Sequence, residues 1–334
     1  MKKIAINGFG RIGRAALKIA LTKKNIEVVA INDLMNIKTM AYLLKYDSVY
    51  GRFDKTVGFK DNNLVINGKK IMVICQKDPS KLPWKKLGID VVLECTGIFE
   101  KYEELQMHIK AGAKKVVLSS PAKDEKTPTL VFGTNKTTKD LGNSNIVSNA
   151  SCTTNCIAPV MQVLESEFGI EKSLMTTIHA YTATQKLVDG PDDKDLRRGR
   201  AGAVNMAPST TGAAKATALV IPELKDKFDG IAVRVPIICG SLSDITLILK
   251  KNTTVDQINK SFINATKKIQ YKGILGIAGP DDEIVSTDVI KTDYSVIVDL
   301  KYTKLIDGNF AKILAWYDNE WGYSNRLIEM AIKN

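Results

Sequence analysis

The N-terminal segment carries two hydrophobic rhythms in succession. Lys3 to Asn7 is a short apolar run, Arg11 to Lys23 places its apolar residues at helical spacing, and Glu27 to Asn32 is rich in β-branched residues. Strand, glycine turn, helix and strand in that order predict a βαβ unit. Further apolar runs at Asn63 to Ile66, Lys70 to Cys75, Val91 to Cys95, Lys115 to Ser119 and Asn145 to Ser148 include several without polar alternation, as strands do in a sheet covered on both faces. Residues 1–150 therefore read as a doubly wound, Rossmann-type α/β domain.

After Ser151 the elements lengthen. A helix is expected near Thr153 to Phe168, kinked by Pro159, and strands near Leu174 to His179, Gly230 to Arg234, Ser243 to Leu249 and Ser295 to Asp299. These describe a second, α+β domain over 151–318. Between Thr182 and Thr211 runs a polar stretch with no clear periodicity, carrying Gly190-Pro191 and Arg197-Arg198-Gly199-Arg200; so long a loop in a compact domain suggests function or an interface. Asn319 to Lys333 has an Asn cap and apolar Trp321, Leu327, Ile328, Ala331 and Ile332, which predicts an amphipathic helix packing back on the first domain. A division in two suits 334 residues, more than one hydrophobic core normally serves.

Composition narrows the partners. The formal charge of +12 invites a polyanion, but the lysines fall in scattered pairs such as Lys23-Lys24, Lys85-Lys86 and Lys250-Lys251, interleaved with acids. A solvated surface follows, and nucleic acid is not expected as the main partner. Asn7, Arg11, Arg14 and Lys18 interrupt any signal-peptide core, and no apolar stretch reaches membrane-spanning length. Five cysteines at irregular spacings do not make a disulfide framework, so a reducing, cytoplasmic setting is expected.

Gly8, Gly10 and Gly13 form G-x-G-x-x-G between a strand and a helix. The first glycine permits a tight turn, the second lets backbone approach a pyrophosphate, and the third lets the helix pack close; the helix N-terminus then faces the anion, with Arg11 adding positive charge. Asp33, at the end of the second strand, suits the ribose hydroxyls and repels a 2′-phosphate, favouring NAD over NADP. Cys152, in Ser151-Cys152-Thr153-Thr154-Asn155-Cys156, stands at a helix start where the dipole and N–H groups stabilise a thiolate. Cys156 should point inward, while Cys75, Cys95 and Cys239 have apolar contexts suited to small hydrophobes. There are two histidines; His179 closes an apolar strand and is the candidate base, whereas His108 lies on a lysine-containing helix.

The blocks Ala5 to Arg14 (AINGFGRIGR), Ser148 to Cys156 (SNASCTTNC), His179 to Thr182 (HAYT), Ser209 to Lys215 (STTGAAK) and Trp316 to Ser324 (WYDNEWGYS) resemble the glyceraldehyde-3-phosphate dehydrogenase family, in that family's order from end to end. The resemblance implies a glycolytic, NAD-dependent oxidoreductase in which Cys152 attacks the aldehyde, His179 acts as base, and inorganic phosphate cleaves the resulting thioester. It implies that Thr182 and Arg234 hold the substrate phosphate, and that Ser151, Thr153, Thr211, Gly212 and either Arg197 or Arg198, with the count back from Thr211 favouring Arg198, receive the attacking one. On the cofactor side it implies Gly8, Gly10, Arg11, Ile12, Gly13, Asp33, Thr96, Gly97, Phe99 and Asn319, together with Lys77 and Ser119 where the family often has arginine and threonine. No metal is called for, and a homotetramer is expected, with the Thr182 to Thr211 loop near neighbouring subunits. The alternatives are a related erythrose-4-phosphate dehydrogenase and a secondary nucleic-acid-binding role.

Overall fold

In a computed structural model, which describes residues 1–142, 144–193 and 195–333, the chain forms two compact units. Met1–Leu130, Thr138–Ala150 and Ser324–Asn334 make the first; Val131–Thr137 and Ser151–Tyr323 make the second. Among the described residues no helix is long and apolar enough to cross a membrane.

The first unit opens with β1 (Lys2–Asn7), α1 (Arg11–Ala20) and β2 (Ile26–Asn32). It continues through α2 (Ile37–Lys45), the short pair β3 (Tyr46–Asp47) and β4 (Gly51–Arg52), β5 (Val57–Lys60), β6 (Asn63–Ile66), β7 (Lys69–Ile74) and α3 (Trp84–Leu87) to β8 (Val91–Glu94), α4 (Tyr102–Lys110), β9 (Lys115–Leu118) and β10 (Ile146–Ser148). The sheet order is β10-β9-β8-β1-β2-β7-β6-β5. The first six strands are parallel, and β6 and β5 add an antiparallel edge. The chain continues from β1 to β2 on one side and later returns to β8 on the other, the switch point at which such sheets open a crevice beyond their carboxyl ends. α1 stops at Ala20, short of the expected Lys23, because the N–H groups of Thr22 and Lys23 turn back onto Ile19 and Ala20, three residues behind. Ala5, Ala30, Trp84, Val92, Leu105 and Val116 share one buried cluster of this unit's core.

Two glycines make the first turn possible. Gly8 sits at φ +94°, where a Cβ would lie 2.6 Å from Thr96 N, and a Cβ on Gly13 would lie 2.1 Å from Gly8 O. Helix, turn and the end of β8 are therefore in backbone contact. The carboxylate of Glu94, fully buried, holds the same region: it accepts from Asn7 Nδ2 at 2.6 Å, Thr96 N at 2.8 Å, Thr96 Oγ1, and His108 Nε2 at 3.0 Å. Trp84 Nε1 donates to His108 Nδ1 at 3.0 Å, which puts the ring proton on Nε2 and aims it at Glu94.

The second unit starts with α5 (Cys152–Phe168) and continues through β11 (Ile170–Ala180), β12 (Ala207–Thr210), α6 (Ala213–Val220), β13 (Phe228–Val235), β14 (Ser241–Leu249), α7 (Val255–Lys267), β15 (Leu275–Ala278), β16 (Val296–Ile306) and β17 (Phe310–Tyr317). Its sheet runs β12-β13-β11-β14-β17-β16-β15, mostly antiparallel, with β11 parallel to β13 and β15 parallel to β16. Burial alternates strictly along β14, where Ser241, Ser243, Ile245, Leu247 and Leu249 point inward; α5, α6 and α7 pack on strands of this sheet. Pro159 lies inside α5 without ending it. α8 (Trp321–Lys333) begins in the second unit and continues, from Ser324, in the first. Its start corrects an expectation: Asp318 Oδ1 accepts from the N–H groups of Glu320 and Trp321 at 2.8 and 2.7 Å, so Asp318 and not Asn319 caps the turn.

Gly13→Ala should destabilise the protein by about 1–3 kcal/mol in denaturant unfolding, because its methyl must displace the Gly8 carbonyl. Gly10→Ala should leave the unfolding midpoint unchanged, since a Cβ there meets nothing within 4 Å. Equal loss in both variants would refute the close approach.

Candidate active site

The residues expected to carry the chemistry gather at one end of the second sheet. Ala150, in the left-handed region at φ 54°, precedes Ser151, whose hydroxyl caps α5 by accepting from Thr154 N at 3.0 Å. Cys152 is the first helical residue. His179 closes β11, and its Nε2 stands 3.5 Å from Cys152 Sγ. Arg234 lies directly across the parallel β11–β13 pairing from His179, its Nη1 2.6 Å from His179 Nδ1.

Burial decides the charge state of this pair. The Cys152 thiol is pushed above its ordinary value by burial, against the pull of Arg234 and of the N–H groups at the start of α5. The helix start lowers the thiol as expected, but desolvation acts against it and is the larger influence. Burial, and after it the Arg234 charge, lower His179 to about 3. Burial thus disfavours the charged form of each partner. Cys156 is fully buried, its Sγ 3.8 Å from Ser243 Oγ, and burial raises its thiol strongly. Burial and neighbouring Glu94 raise Cys95 to about 12. Cys75, expected in an apolar setting, is exposed just beyond the end of β7, after the last residue of the strand.

Tyr317 is the residue that sequence reasoning did not single out. Its ring stands edge-on to His179, centroids 6.0 Å apart, and its buried hydroxyl lies 2.9 Å from Thr153 Oγ1 and 2.8 Å from Thr177 Oγ1. It belongs to the Trp316 to Ser324 block, yet only the β14–β17 pairing carries it to β11. Thr153, expected among the phosphate ligands, turns its hydroxyl inward to Tyr317.

Arg198 donates from Nε and Nη2 to Ser209 Oγ at 3.1 and 2.7 Å. It is close enough to Arg234 that its charge helps to lower that group's pKa, after burial, the main cause. Arg197 is exposed. Thr211 Oγ1 accepts from Ala213 N at 3.2 Å, and Gly212 precedes α6, which has no side-chain cap, so its N-terminal N–H groups suit an anion. Thr182, two residues past β11, pairs its hydroxyl with Thr184 at 2.8 Å.

In the first unit, α1 has no side-chain cap and a Cβ on Gly10 would meet nothing within 4 Å, so backbone and open space fit a pyrophosphate. Asp33 accepts from Phe9 N at 2.6 Å and Met35 N at 2.8 Å, fixing its carboxylate beside the glycine turn with lone pairs remaining for ribose hydroxyls. Ile12 is half-buried on α1. The guanidinium of Arg11, from which positive charge is expected, is paired with Asp47 Oδ2 at 2.9 Å and lies over the Tyr50 ring. Thr96 Oγ1 accepts from Ile98 N at 3.1 Å, Gly97 takes φ +68°, Phe99 packs on the core, Lys77 is exposed and Ser119 N bonds to Glu94 O at 3.0 Å. Asn319 belongs to the second unit, where its Oδ1 accepts from Gly240 N at 3.2 Å and Ser241 Oγ at 2.9 Å; that serine in turn accepts from Ala180 N.

The depressed His179 pKa sets a pH dependence. Between the unfolded value near 6.5 and about 3 the unfolded chain binds a proton that the folded chain refuses, so this group's contribution is present above pH 6.5 and lost as pH falls. His179→Gln should flatten the fall of unfolding free energy between pH 7 and 5 by up to about 1.4 kcal/mol per pH unit. Parallel curves for both proteins would contradict a buried neutral imidazole.

Comparison with known proteins agrees over both units. The model of the glyceraldehyde 3-phosphate dehydrogenase NAD binding domain matches residues 2–102, and that of the family's C-terminal domain matches residues 151–319. The chain is 49% identical over 331 residues to glyceraldehyde-3-phosphate dehydrogenase 1 of Bacillus cereus, covering 99% of this chain and 98% of the relative. It is 50% identical over 332 residues to glyceraldehyde-3-phosphate dehydrogenase of Clostridium pasteurianum, covering 98% and 97%. A third relative, from Geobacillus stearothermophilus, is 48% identical over 329 residues, covering 98% and 97%. With a glycine turn fitted to a dinucleotide in one unit and a cysteine–histidine pair in the other, the chain belongs to the glyceraldehyde-3-phosphate dehydrogenase family.

Proposed function

We propose that this protein oxidises glyceraldehyde 3-phosphate with NAD and inorganic phosphate to 1,3-bisphosphoglycerate, through a thioester on Cys152. The observation that carries the reading is the 3.5 Å approach of Cys152 Sγ to His179 Nε2 beside Arg234. His179 takes the thiol proton as sulfur attacks the aldehyde carbon and returns it to the oxygen, giving a thiohemiacetal. NAD, when bound, supplies the hydride acceptor. His179 removes the hydroxyl proton during oxidation, and phosphate then displaces Cys152 from the thioester, so the energy of oxidation stays in an acyl phosphate.

Arg234 and Thr182 hold the substrate phosphate; Arg198, steadied by Ser209, works with Ser151, Thr211 and Gly212 on the attacking one. Gly8, Gly10, Gly13 and Asp33 hold NAD through backbone and carboxylate, with Thr96 and Gly97 beside them and Asn319 as the nicotinamide-side ligand. Exposed Leu187, Val188, Leu196, Val204 and Met206 crowd the 182–211 segment and support a homotetramer with interfaces there. Five free cysteines, one of them the nucleophile, suit a reducing cytoplasm.

The direct test is NADH formation from glyceraldehyde 3-phosphate and NAD, sustained with inorganic phosphate and stalling after about one turnover per site without it. Cys152→Ser should abolish it and Cys156→Ser should spare most of it; equal loss in both would remove the assignment of the nucleophile. His179→Asn should lower turnover by roughly 10²- to 10⁴-fold with NAD binding intact, as loss of a general base does.

Cofactor choice rests on Asp33. A 2′-phosphate would lose its carboxylate bonds and meet a like charge, so NAD should be strongly preferred. Asp33→Ala should weaken NAD binding and narrow the gap to NADP. Equal catalytic efficiency of the unaltered enzyme with both cofactors would show that Asp33 does not govern the choice.

A further inference from the structure

Across the carboxyl ends of β8, β1 and β2 and the segment after β7, side chains of the first unit form one file of hydrogen bonds. Asn7, Asn32, Trp84, Glu94 and His108 in it are all buried. From one side Gln76 N donates to Asn32 Oδ1 at 2.9 Å, Asn32 Nδ2 to Asn7 Oδ1 at 2.7 Å, and Asn7 Nδ2 to Glu94 Oε2 at 2.6 Å. From the other side Trp84 Nε1 donates to His108 Nδ1 at 3.0 Å, and His108 Nε2 donates to the same Glu94 oxygen at 3.0 Å. Each end starts on a group that can only donate, a backbone N–H and an indole N–H, so neither asparagine amide can turn over and every bond points at Glu94. The second Glu94 oxygen accepts from Thr96 N at 2.8 Å and from Thr96 Oγ1. Four donors thus converge on one side chain. Only a carboxylate accepts at both oxygens; a glutamine there would set its NH₂ group against two of the donors.

The members of this file stand next to the segments that hold the cofactor. Asn7 immediately precedes Gly8 of the glycine turn, Asn32 immediately precedes Asp33, and Thr96 leads into Gly97. Thr96 Oγ1, its proton given to Glu94, accepts from Ile98 N at 3.1 Å, which fixes that turn. Gly8 packs so close to the same residue that a Cβ would lie 2.6 Å from Thr96 N. We infer that Glu94 is a positioning residue for NAD: through Asn7, Asn32 and Thr96 its carboxylate holds the glycine turn, Asp33 and the Thr96–Gly97 turn at the spacing that a bound dinucleotide requires. The inference rests on the reading of Gly8, Asp33, Thr96 and Gly97 as NAD ligands. Glu94 is fully buried and acts only through these neighbours. Because the file orders three separate segments before the cofactor arrives, NAD does not have to order them on binding, and its affinity depends on the file staying intact.

The test is calorimetric NAD binding and initial-rate kinetics on the whole protein carrying Glu94→Gln, Asn7→Ala, both changes, or Asp33→Ala. Asn7→Ala cuts the file between Glu94 and Asn32, yet it leaves the carboxylate three donors and Asn32 its two bonds to Gln76, so this variant should fold. Glu94→Gln should raise the Kd and KM for NAD about tenfold or more, as loss of bonds to a charged group does, and Asn7→Ala should raise them by a smaller factor. The number of NAD sites and the KM for glyceraldehyde 3-phosphate should not change. Because both substitutions break one file, the doubly altered protein should bind NAD no more weakly than Glu94→Gln alone. Factors that multiply in the double variant overturn the inference. So does a loss of NAD sites at unaltered Kd, the mark of a role in folding alone, or unaltered NAD affinity in Asn7→Ala when Asp33→Ala weakens binding. Unaltered affinity in Asp33→Ala overturns the reading of the NAD ligands, and the inference with it. If Glu94→Gln does not fold, the comparison of Asn7→Ala with Asp33→Ala decides.

Discussion

The parallel pairing of β11 with β13 is the constraint on which the reaction centre depends. It sets His179 opposite Arg234, residues 55 apart in the chain, and holds both where the first turn of α5 delivers Cys152. A slip of one residue would turn every side chain of the strand to the other face and break the cysteine–histidine contact. The strand on the other side of β11 supports the same histidine: β14 supplies Ser241, which accepts from Ala180 N and donates to Asn319, and β17, paired to β14, brings Tyr317 against the ring. His179 is thus held by contacts from β13, β14 and β17.

These contacts have an electrostatic cost. Removing Cys152 and His179 from water disfavours their charged forms, and the nearby arginine further opposes an imidazolium.

The first unit solves a different problem, approach instead of reactivity. Gly8 and Gly13 let the turn, α1 and the end of β8 touch backbone to backbone, while the buried Glu94 carboxylate ties Asn7, Thr96 and His108 to one point. A buried carboxylate is tolerable because each of its oxygens is supplied with donors. Asp33 then extends the same scheme outward, using its own bonds to Phe9 and Met35 to stay fixed beside the turn.

Local pattern by itself determined the βαβ start, the buried parallel strands, the glycine turn and the change of texture at Ser151, because period, apolar runs and glycine all act over a few residues. The quoted blocks singled out Cys152 and His179 in the same way, and the end of the second strand singled out Asp33. Strand ends came within a few residues for Lys2–Asn7 or Val91–Glu94, but β5, β12, β15 and β17, short or alternating segments of weak local signal, emerged only from their sheet partners. The tertiary structure alone decided that Asp318 takes the cap left to Asn319, that Arg11 is spent on Asp47, and that Thr153 turns inward to Tyr317. Each is settled by which partner the fold brings near, in two of the three cases one far away along the chain. The protonation of Cys152 belongs there too: a helix terminus is visible in sequence, whereas desolvation depends on everything packed around it.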